Sequence, residues 1–196
     1  MPITTYAALE RINANRINAY ALNNSLKFVA SASSSANPNG IEMHNVFTSE
    51  FDAYRILLTQ IFTYNTSAVN IRMQMSTGGT TPYTGAAYQH ASLGTNFSAS
   101  TVSTNGGNVT SWFLTAAYQN GLRSSSGIIE MNAPQSSSKP TYESLFVDVG
   151  AAGLAAGKNW MGGGFVNNAA TYTGFKIFAD TSTFNATCVV YGYRKA

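Results

Sequence analysis

Carboxylate side chains are the first candidates for chemistry, and the 196-residue sequence holds only eight of them. They are Glu10, Glu42, Glu50, Asp52, Glu130, Glu143, Asp148 and Asp180. Catalysis by paired carboxylates needs two acids on facing positions, one of them with a displaced pKa. Glu50 and Asp52 would share one face of a strand, but that spacing is more typical of a solvated edge. We therefore expect no catalytic residues and no enzymatic activity.

Metal-binding and nucleophilic side chains are equally sparse. His44 and His90 lie far apart, and the sequence holds neither a His-Glu-x-x-His pattern nor a pair of cysteines, so we expect no metal site and no cofactor. Cys188, the one cysteine, cannot form an intrachain disulfide. Its neighbours Val189, Val190 and Tyr191 are apolar, which predicts a buried, inert thiol.

The composition indicates strands and turns. Hydrophobic residues make up 44% of the chain and charged residues only 10%, while 61 residues are Ser, Thr or Asn. Low charge with ordinary hydrophobicity excludes charge-driven disorder. Small polar residues and glycines between aromatic and β-branched residues are typical of many short strands joined by turns. The composition therefore predicts an all-β protein.

The charge and hydropathy patterns exclude two classes of partner. The net charge is +3, and the cations are scattered along the chain, so we expect no nucleic-acid binding. No window approaches 18 consecutive apolar residues, so we expect no membrane span. The first 20 residues are interrupted by Glu10 and several asparagines, so no signal peptide is expected either.

The clearest strand lies at residues 69–76. Val69, Ile71, Met73 and Met75 occupy one face, and Arg72 and Gln74 lie on the other, as in a sheet with one buried side. Similar patterns predict strands at residues 52–64, 110–118, 127–132, 143–149, 175–179 and 186–193, with weaker signals at 43–47, 92–97 and 160–166. Turn-forming residues fill 80–85, 105–108, 120–127 and 134–140. This arrangement predicts an antiparallel, two-sheet β-sandwich or a barrel, and we take the sandwich as the expected fold.

Residues 1–40 differ in pattern from the rest of the chain. An apolar stripe at spacings that suit a helix consists of Tyr6, Leu9, Ile12, Ile17 and Tyr20. Residues 31–40, SASSSANPNG, are expected to form a linker or long turn. We predict two regions, an N-terminal helical or extended arm with its linker at 1–40 and a sandwich at 41–196. The stripe is either a partner-docking surface or a short helix packed on its own domain.

Two aromatic residues are candidates for surface contacts. Tyr83 and Trp160 lie among glycines and threonines typical of loops, so we expect both side chains to be exposed. Exposed aromatic rings can anchor a protein interface or stack on a glycan.

Three segments stand out in the C-terminal half, namely Gly174-Phe175-Lys176-Ile177-Phe178, Thr183-Phe184 and Val189-Val190-Tyr191-Gly192-Tyr193. Together they resemble the closing hairpin of β-sandwich virion proteins of tailed bacteriophages. Upstream, Phe51-Asp52-Ala53-Tyr54-Arg55-Ile56-Leu57 and Ile71-Arg72-Met73 are similar to the first core hairpin of the same group, and Trp160 before the last hairpin also fits. The resemblance covers about residues 45–194.

The resemblance implies a jelly-roll or concanavalin-like sandwich in a virion assembled in the host cytoplasm. The implied function is capsid decoration or cementing, with docking on the major capsid protein or on tail components. A homo-oligomer such as a trimer is also implied. Two alternatives stay open, namely a tail-fibre or receptor-binding module that contacts host glycan, and a carbohydrate-active enzyme on a lectin-like sandwich.

Overall fold

The computed structural model describes residues 26–37, 40–65, 68–78, 81–96, 101–117, 125–148 and 157–194. These residues form twelve strands connected by turns and loops. The strands, numbered in chain order, are β1 (Leu26–Asn37), β2 (Ile41–Met43), β3 (Phe51–Thr63), β4 (Val69–Ser76), β5 (Tyr88–Asn96), β6 (Thr101–Val109), β7 (Trp112–Ala117), β8 (Ser125–Asn132), β9 (Thr141–Asp148), β10 (Lys158–Val166), β11 (Gly174–Ala179) and β12 (Phe184–Arg194).

The strands form two antiparallel sheets that pack as a β-sandwich, as predicted. The large sheet has eight strands in the order β1-β12-β3-β8-β9-β10-β5-β6, and the small sheet has four in the order β2-β11-β4-β7. The strands β1-β12-β3-β8 and β2-β11-β4-β7 follow the order of a jelly roll, the two-sheet architecture of paired Greek keys. The remaining strands extend the large sheet beyond β8.

The core lies between the two sheets and follows the alternation of side chains along each strand. In β4, Val69 is 2% exposed and Ile71, Met73 and Met75 are fully buried, while the alternate Gln74 is half-buried. The predicted register of this strand is therefore confirmed. A one-residue slip would send every buried side chain of β4 to the opposite face.

Aromatic rings from several strands meet at the centre of this core. Trp112 of β7 packs edge-on against Tyr88 of β5, with ring centroids 5.2 Å apart, and tilted against Tyr142 of β9 at 4.3 Å. The Tyr88 hydroxyl donates to the carbonyl of Tyr83 at 2.8 Å and accepts from the amide of Met75 at 2.9 Å. These contacts hold the two sheets together near the middle of the sandwich.

The prediction of a linker at residues 31–40 is wrong for most of its length. Residues 31–37 continue β1, which pairs antiparallel with β12 at the edge of the large sheet. The Ser34 hydroxyl donates to the carbonyl of Phe184 at 2.9 Å, and the hydroxyls of Ser33 and Thr187 lie 3.2 Å apart. An edge strand needs backbone pairing on one side only, so small polar residues can fill it. The sandwich consequently begins at β1 and not at residue 41.

A second predicted turn is also part of an edge strand. Residues 105–108, Asn-Gly-Gly-Asn, lie in β6, which pairs with β5 at the opposite edge of the large sheet. The predicted strand at 43–47 is likewise corrected, since β2 ends at Met43. Val46 and Phe47 are nevertheless buried in the core. The predicted arm residues Tyr6, Leu9, Ile12, Ile17 and Tyr20 lie outside the described residues.

Candidate functional site

The outer face of the large sheet carries a row of apolar side chains. The alternation that buries Ile56, Ile129 and Phe146 between the sheets points their neighbours outward. Six outward-pointing residues are paired in register across six adjacent strands. This outer row consists of Val189 of β12, Leu57 of β3, Ile128 of β8, Leu145 of β9, Met161 of β10 and Leu93 of β5.

Four members of the outer row are strongly exposed in the described structure. The exposed fractions are 36% for Ile128, 51% for Leu145, 60% for Met161 and 49% for Leu93. Single exposed apolar side chains are ordinary on protein surfaces, but a contiguous apolar patch marks an interaction site or a ligand groove. The outer row is therefore the candidate functional site of this chain.

A charged cluster borders the outer row on the same face. Arg55 of β3 donates through Nε to Glu130 of β8 at 2.6 Å, and the Tyr193 hydroxyl donates to the other Glu130 carboxylate oxygen at 2.9 Å. The hydrogen bond to Glu130 raises the pKa of Arg55. Burial and the hydrogen bond to Glu130 raise the pKa of Tyr193. Arg55, Glu130 and Tyr193 thus form one polar network beside the apolar side chains.

Glu143 of β9 lies directly opposite Glu130 in the pairing of β8 with β9. Directly opposed residues have Cβ atoms about 5 Å apart, so the two acids are neighbours on the outer face. Glu143 has no hydrogen-bond or ion-pair partner among the described residues, in contrast to Glu130. Like charges at this spacing repel each other unless a cation reaches them. Glu143 is therefore ready to accept a positively charged partner.

A shallow groove of about 390 Å³ runs along these side chains. It is lined by Ile128, Leu145 and Met161 of the outer row and by Glu130 and Glu143. Gly163 is the next outward-facing position along β10 after Met161, and it pairs with Glu143. Because glycine has no side chain, the groove stays open at this position. The groove therefore combines an aliphatic wall with an acidic one.

Trp160 is not an exposed aromatic contact, contrary to prediction. Its side chain is 3% exposed because position 160 of β10 points between the sheets, whereas position 161 points outward. Its ring packs edge-on against Phe113 at 4.9 Å between centroids. Tyr83 is half-buried, and its ring lies 6.0 Å from that of Tyr88. The Trp160 ring is therefore part of the core and not of the surface.

Two other reactive side chains lie inside the sandwich. Cys188 of β12 is fully buried, as predicted, and burial raises the pKa of its thiol to about 12. Asp148 at the end of β9 is fully buried too, and burial raises the pKa of its carboxyl to about 6 although Ser125 and Lys158 partly oppose this shift. The Ser125 hydroxyl donates to Asp148 at 3.2 Å. Neither group faces the groove.

The remaining sequence candidates are dispersed. Glu50 forms an exposed ion pair with Lys27 at 2.7 Å, and His44 lies 3.5 Å from Glu42. His90 is buried, and burial together with the charge of Arg72 lowers its pKa. Within the described ranges, no three potential metal-ligating side chains lie together. The part of the chain that the structure describes also contains no helix able to cross a membrane.

Sequence reasoning missed the outer row, although a signal for it exists. Several strands carry two adjacent apolar residues, so that both faces of the strand are apolar. Examples are Leu57-Leu58, Ile128-Ile129, Leu145-Phe146 and Val189-Val190. In a sandwich with one wet face, only one residue of each pair can enter the core, and in these four pairs the first residue points outward. Comparison with known protein families and with curated proteins finds no match to this chain.

Proposed function

We propose that this chain is a non-enzymatic structural protein of a phage virion that works through surface contacts. It is a capsid decoration or cement protein that attaches to the particle through its N-terminal arm, with the outer row as a second contact surface, and it acts as a homo-oligomer. The observation that carries the proposal is the outer row, because an exposed aliphatic patch of this extent is suited to contact with another protein.

The chemistry of the outer row favours a protein partner over a glycan. Its four most exposed members are Ile128, Leu145, Met161 and Leu93, which offer no aromatic ring on which a sugar could stack. Aliphatic side chains gain free energy when they leave water, at about 25 cal/mol per Å² of buried apolar surface. The jelly-roll strand order adds support by analogy, since viral capsid proteins use this architecture.

Incorporation into particles tests this proposal. Leu145→Thr with Met161→Thr removes two apolar side chains of the outer row while keeping residues that suit strands. We expect the double variant to fold and to co-sediment with purified particles at least tenfold less than the unmodified chain. Ser137→Thr, at an exposed loop position between β8 and β9, is the matched control and should co-sediment normally. Equal co-sedimentation of the double variant would contradict the proposal.

A second candidate function is action on a carbohydrate, and the neighbouring pair of Glu130 and Glu143 in the groove favours it. Retaining glycosidases use two carboxylates about 5–5.5 Å apart. In this chain, however, the Glu130 carboxylate is already held by Arg55 and Tyr193. Incubating the purified chain with a panel of polysaccharides, and measuring both hydrolysis and binding, distinguishes the candidate functions. Hydrolysis that is lost in Glu143→Gln would favour the enzyme, and binding without hydrolysis would favour a tail-fibre or receptor-binding module.

A further inference from the structure

The exposed apolar side chains of the described structure are concentrated on one sheet face. Eight large apolar residues are strongly exposed in the described ranges, and all of them except Tyr64 lie on the outer face of the large sheet. These residues are Phe28, Leu93, Ile128, Leu145, Val147, Met161 and Phe165. Protein surfaces commonly carry such residues singly, and a contiguous group marks a contact surface. The whole outer face, and not the outer row alone, is therefore suited to contact.

The outer face is large enough for a stable contact with a second copy of the chain. Strand β8 is the fourth of the seven strands β1-β12-β3-β8-β9-β10-β5, so three strands lie on each side of it. Six strand spacings of about 4.8 Å and strands of about eight residues give a face of about 29 Å by 26 Å, or roughly 750 Å². A standard protein interface buries about 800 Å² on each partner. A contact centred on β8 makes the fullest use of this face.

Three charged side chains follow one another across the middle of the face, beside the outer row. Arg55 of β3, Glu130 of β8 and Glu143 of β9 are paired in register. Arg55 contacts a single Glu130 oxygen through Nε at 2.6 Å and through Nη2 at 2.5 Å. A guanidinium carries five N–H donors, which one oxygen cannot all use, and the Arg55 side chain is 37% exposed. Arg55 can therefore donate to a second acid, and Glu143 has no cation partner among the described residues.

A two-fold axis along β8 is the symmetry that brings these charges together. Such an axis exchanges strands that lie at equal distances on its two sides, so β3 of one copy faces β9 of the other. Arg55 of each copy then faces Glu143 of the other. An axis along β9 would set Glu143 against Glu143, and an axis between β8 and β9 would set Glu130 against Glu143. An axis along the outer row would set Glu143 against Val147. Charge therefore selects the axis along β8.

The same axis also matches the apolar side chains. Leu57 and Leu145 lie one strand spacing from Ile128 on either side of it, so Leu57 faces Leu145 of the second copy and the two Ile128 side chains meet. Packed sheets cross at about 30°, which displaces these neighbours by only about 2.5 Å. The two Glu130 carboxylates also lie near the axis. Each is already held by Arg55 and Tyr193 of its own copy, which offsets their repulsion.

We propose that two copies of this chain pair through their outer faces about a two-fold axis along β8, with Arg55 of each copy bonded to Glu143 of the other. This inference rests on the proposed function only for the homo-oligomer, whose contact surface it names. The homo-oligomer is then a dimer and not a trimer, because a face that pairs with itself is occupied by one partner. Two linked N-terminal arms bind a particle more tightly than one, so the dimer strengthens attachment.

Sedimentation equilibrium of the purified full-length chain tests the dimer without any particle. Glu143→Arg gives Glu130 a second cation within its own chain but sets two arginines against each other across the axis. We expect this variant to fold normally and its dimer dissociation constant to rise at least tenfold. Adding Arg55→Glu exchanges the two charges and should restore the dissociation constant to within about threefold. Glu42→Arg, at an outward position of β2 in the small sheet, makes the same change of charge and should dimerise normally.

A cysteine cross-link locates the axis. Ile128→Cys places a thiol on the axis, Leu93→Cys places one three strands away in the same row, and the buried Cys188 does not compete. A bismaleimide that spans about 10 Å, the spacing of two packed sheets, should join two chains through position 128. The two copies of position 93 lie about 29 Å apart across the axis, so this variant should remain uncross-linked on a denaturing gel.

Four outcomes would overturn the proposal. The first two are a chain that stays monomeric at every concentration and a chain that forms a trimer. The third is a dissociation constant for Glu143→Arg equal to that for Glu42→Arg, because Glu143 would then lie outside the contact. The fourth is equal cross-linking through positions 93 and 128, which would place the axis elsewhere. Each of these outcomes leaves attachment to a particle standing, and a dimer that binds no particle would contradict the proposed function alone.

Discussion

Residues on the two faces of one strand differ in burial, and β4 shows this difference most clearly. Ile71 is fully buried between the sheets, whereas Gln74, on the other face, is half-buried and donates through Nε2 to the carbonyl of Thr110 at 3.0 Å. A charged side chain at position 71 would lose its hydration without gaining a partner. A charged side chain at position 74 would keep access to water.

Ile71→Asp should therefore lower the free energy of unfolding by about 3 kcal/mol or more. Gln74→Asp on the same strand is the matched control and should cost about 1 kcal/mol or less. Urea denaturation followed by tryptophan fluorescence measures both values. A stable Ile71→Asp variant would show that the register of β4 differs from the one described.

The buried Asp148 makes the stability of the fold depend on pH. Burial raises its pKa to about 6 in the folded chain, against about 3.9 for an unfolded Asp. Because the pKa of Asp148 is higher in the folded chain than in the unfolded chain, its favourable contribution to the free energy of unfolding is fully present below about pH 4. That contribution is lost as the pH rises through 6.

Asp148→Asn should consequently stabilise the protein by about 2 kcal/mol at pH 7.5 and leave its stability nearly unchanged at pH 3.5. The amide keeps an acceptor for the Ser125 hydroxyl. Denaturation of both proteins at a series of pH values gives the difference directly. A difference that is constant across this range would contradict the burial of an ionisable group at position 148.

Cys188 should resist thiol reagents in the native protein. It is fully buried in β12, and its raised pKa keeps it in the thiol form. We expect labelling by an aromatic disulfide reagent to be at least a hundredfold slower in buffer than in 6 M guanidinium chloride. Labelling at comparable rates would place Cys188 at the surface.

Among the strands, the edges were the hardest to predict from the sequence. In interior strands such as β3, β4, β8 and β12, buried side chains alternate with more exposed ones along much of the strand. These strands pair on both sides and pack on the core, so their side-chain pattern reports their position. The edge strand β1 is rich in Ser and the edge strand β6 in Asn and Gly, which are typical of turns. Backbone pairing on one side defines these strands, and side-chain patterns do not report it.

Because β1 belongs to the large sheet, truncation before β1 and truncation through β1 should differ in their effect on stability. Deleting residues 1–25 leaves all of β1 in place, whereas deleting residues 1–37 exposes the edge of β12 and removes the bond from Ser34 to the Phe184 carbonyl. We expect the shorter deletion to preserve cooperative unfolding. The longer deletion should lower the melting temperature by about 10 °C or more and promote aggregation. Equal melting temperatures for the two truncations would show that β1 contributes little to the fold.

For the molecule as a whole, the sequence predicted the fold better than the site. Alternation in single strands, as at Val69 to Met75, was sufficient for an all-β sandwich. The outer row depends on the relative register of six strands that are far apart in the chain, such as β5 and β12. Local patterns do not encode that register. Trp160 is a second example. Its glycine-rich surroundings in the sequence suggested a loop, but the alternation of side chains along β10 turns position 160 into the core.

Locating the chain on intact particles would test whether it is a structural part of a virion, as we propose. Antibodies against the sandwich, coupled to gold, would be applied to gradient-purified phage particles and viewed by electron microscopy. We expect gold at regular positions on the capsid surface, and we expect antibody against residues 1–25 to bind the isolated chain but not the assembled particle. Particles without gold, with the chain left entirely in the particle-free fraction, would contradict the proposal.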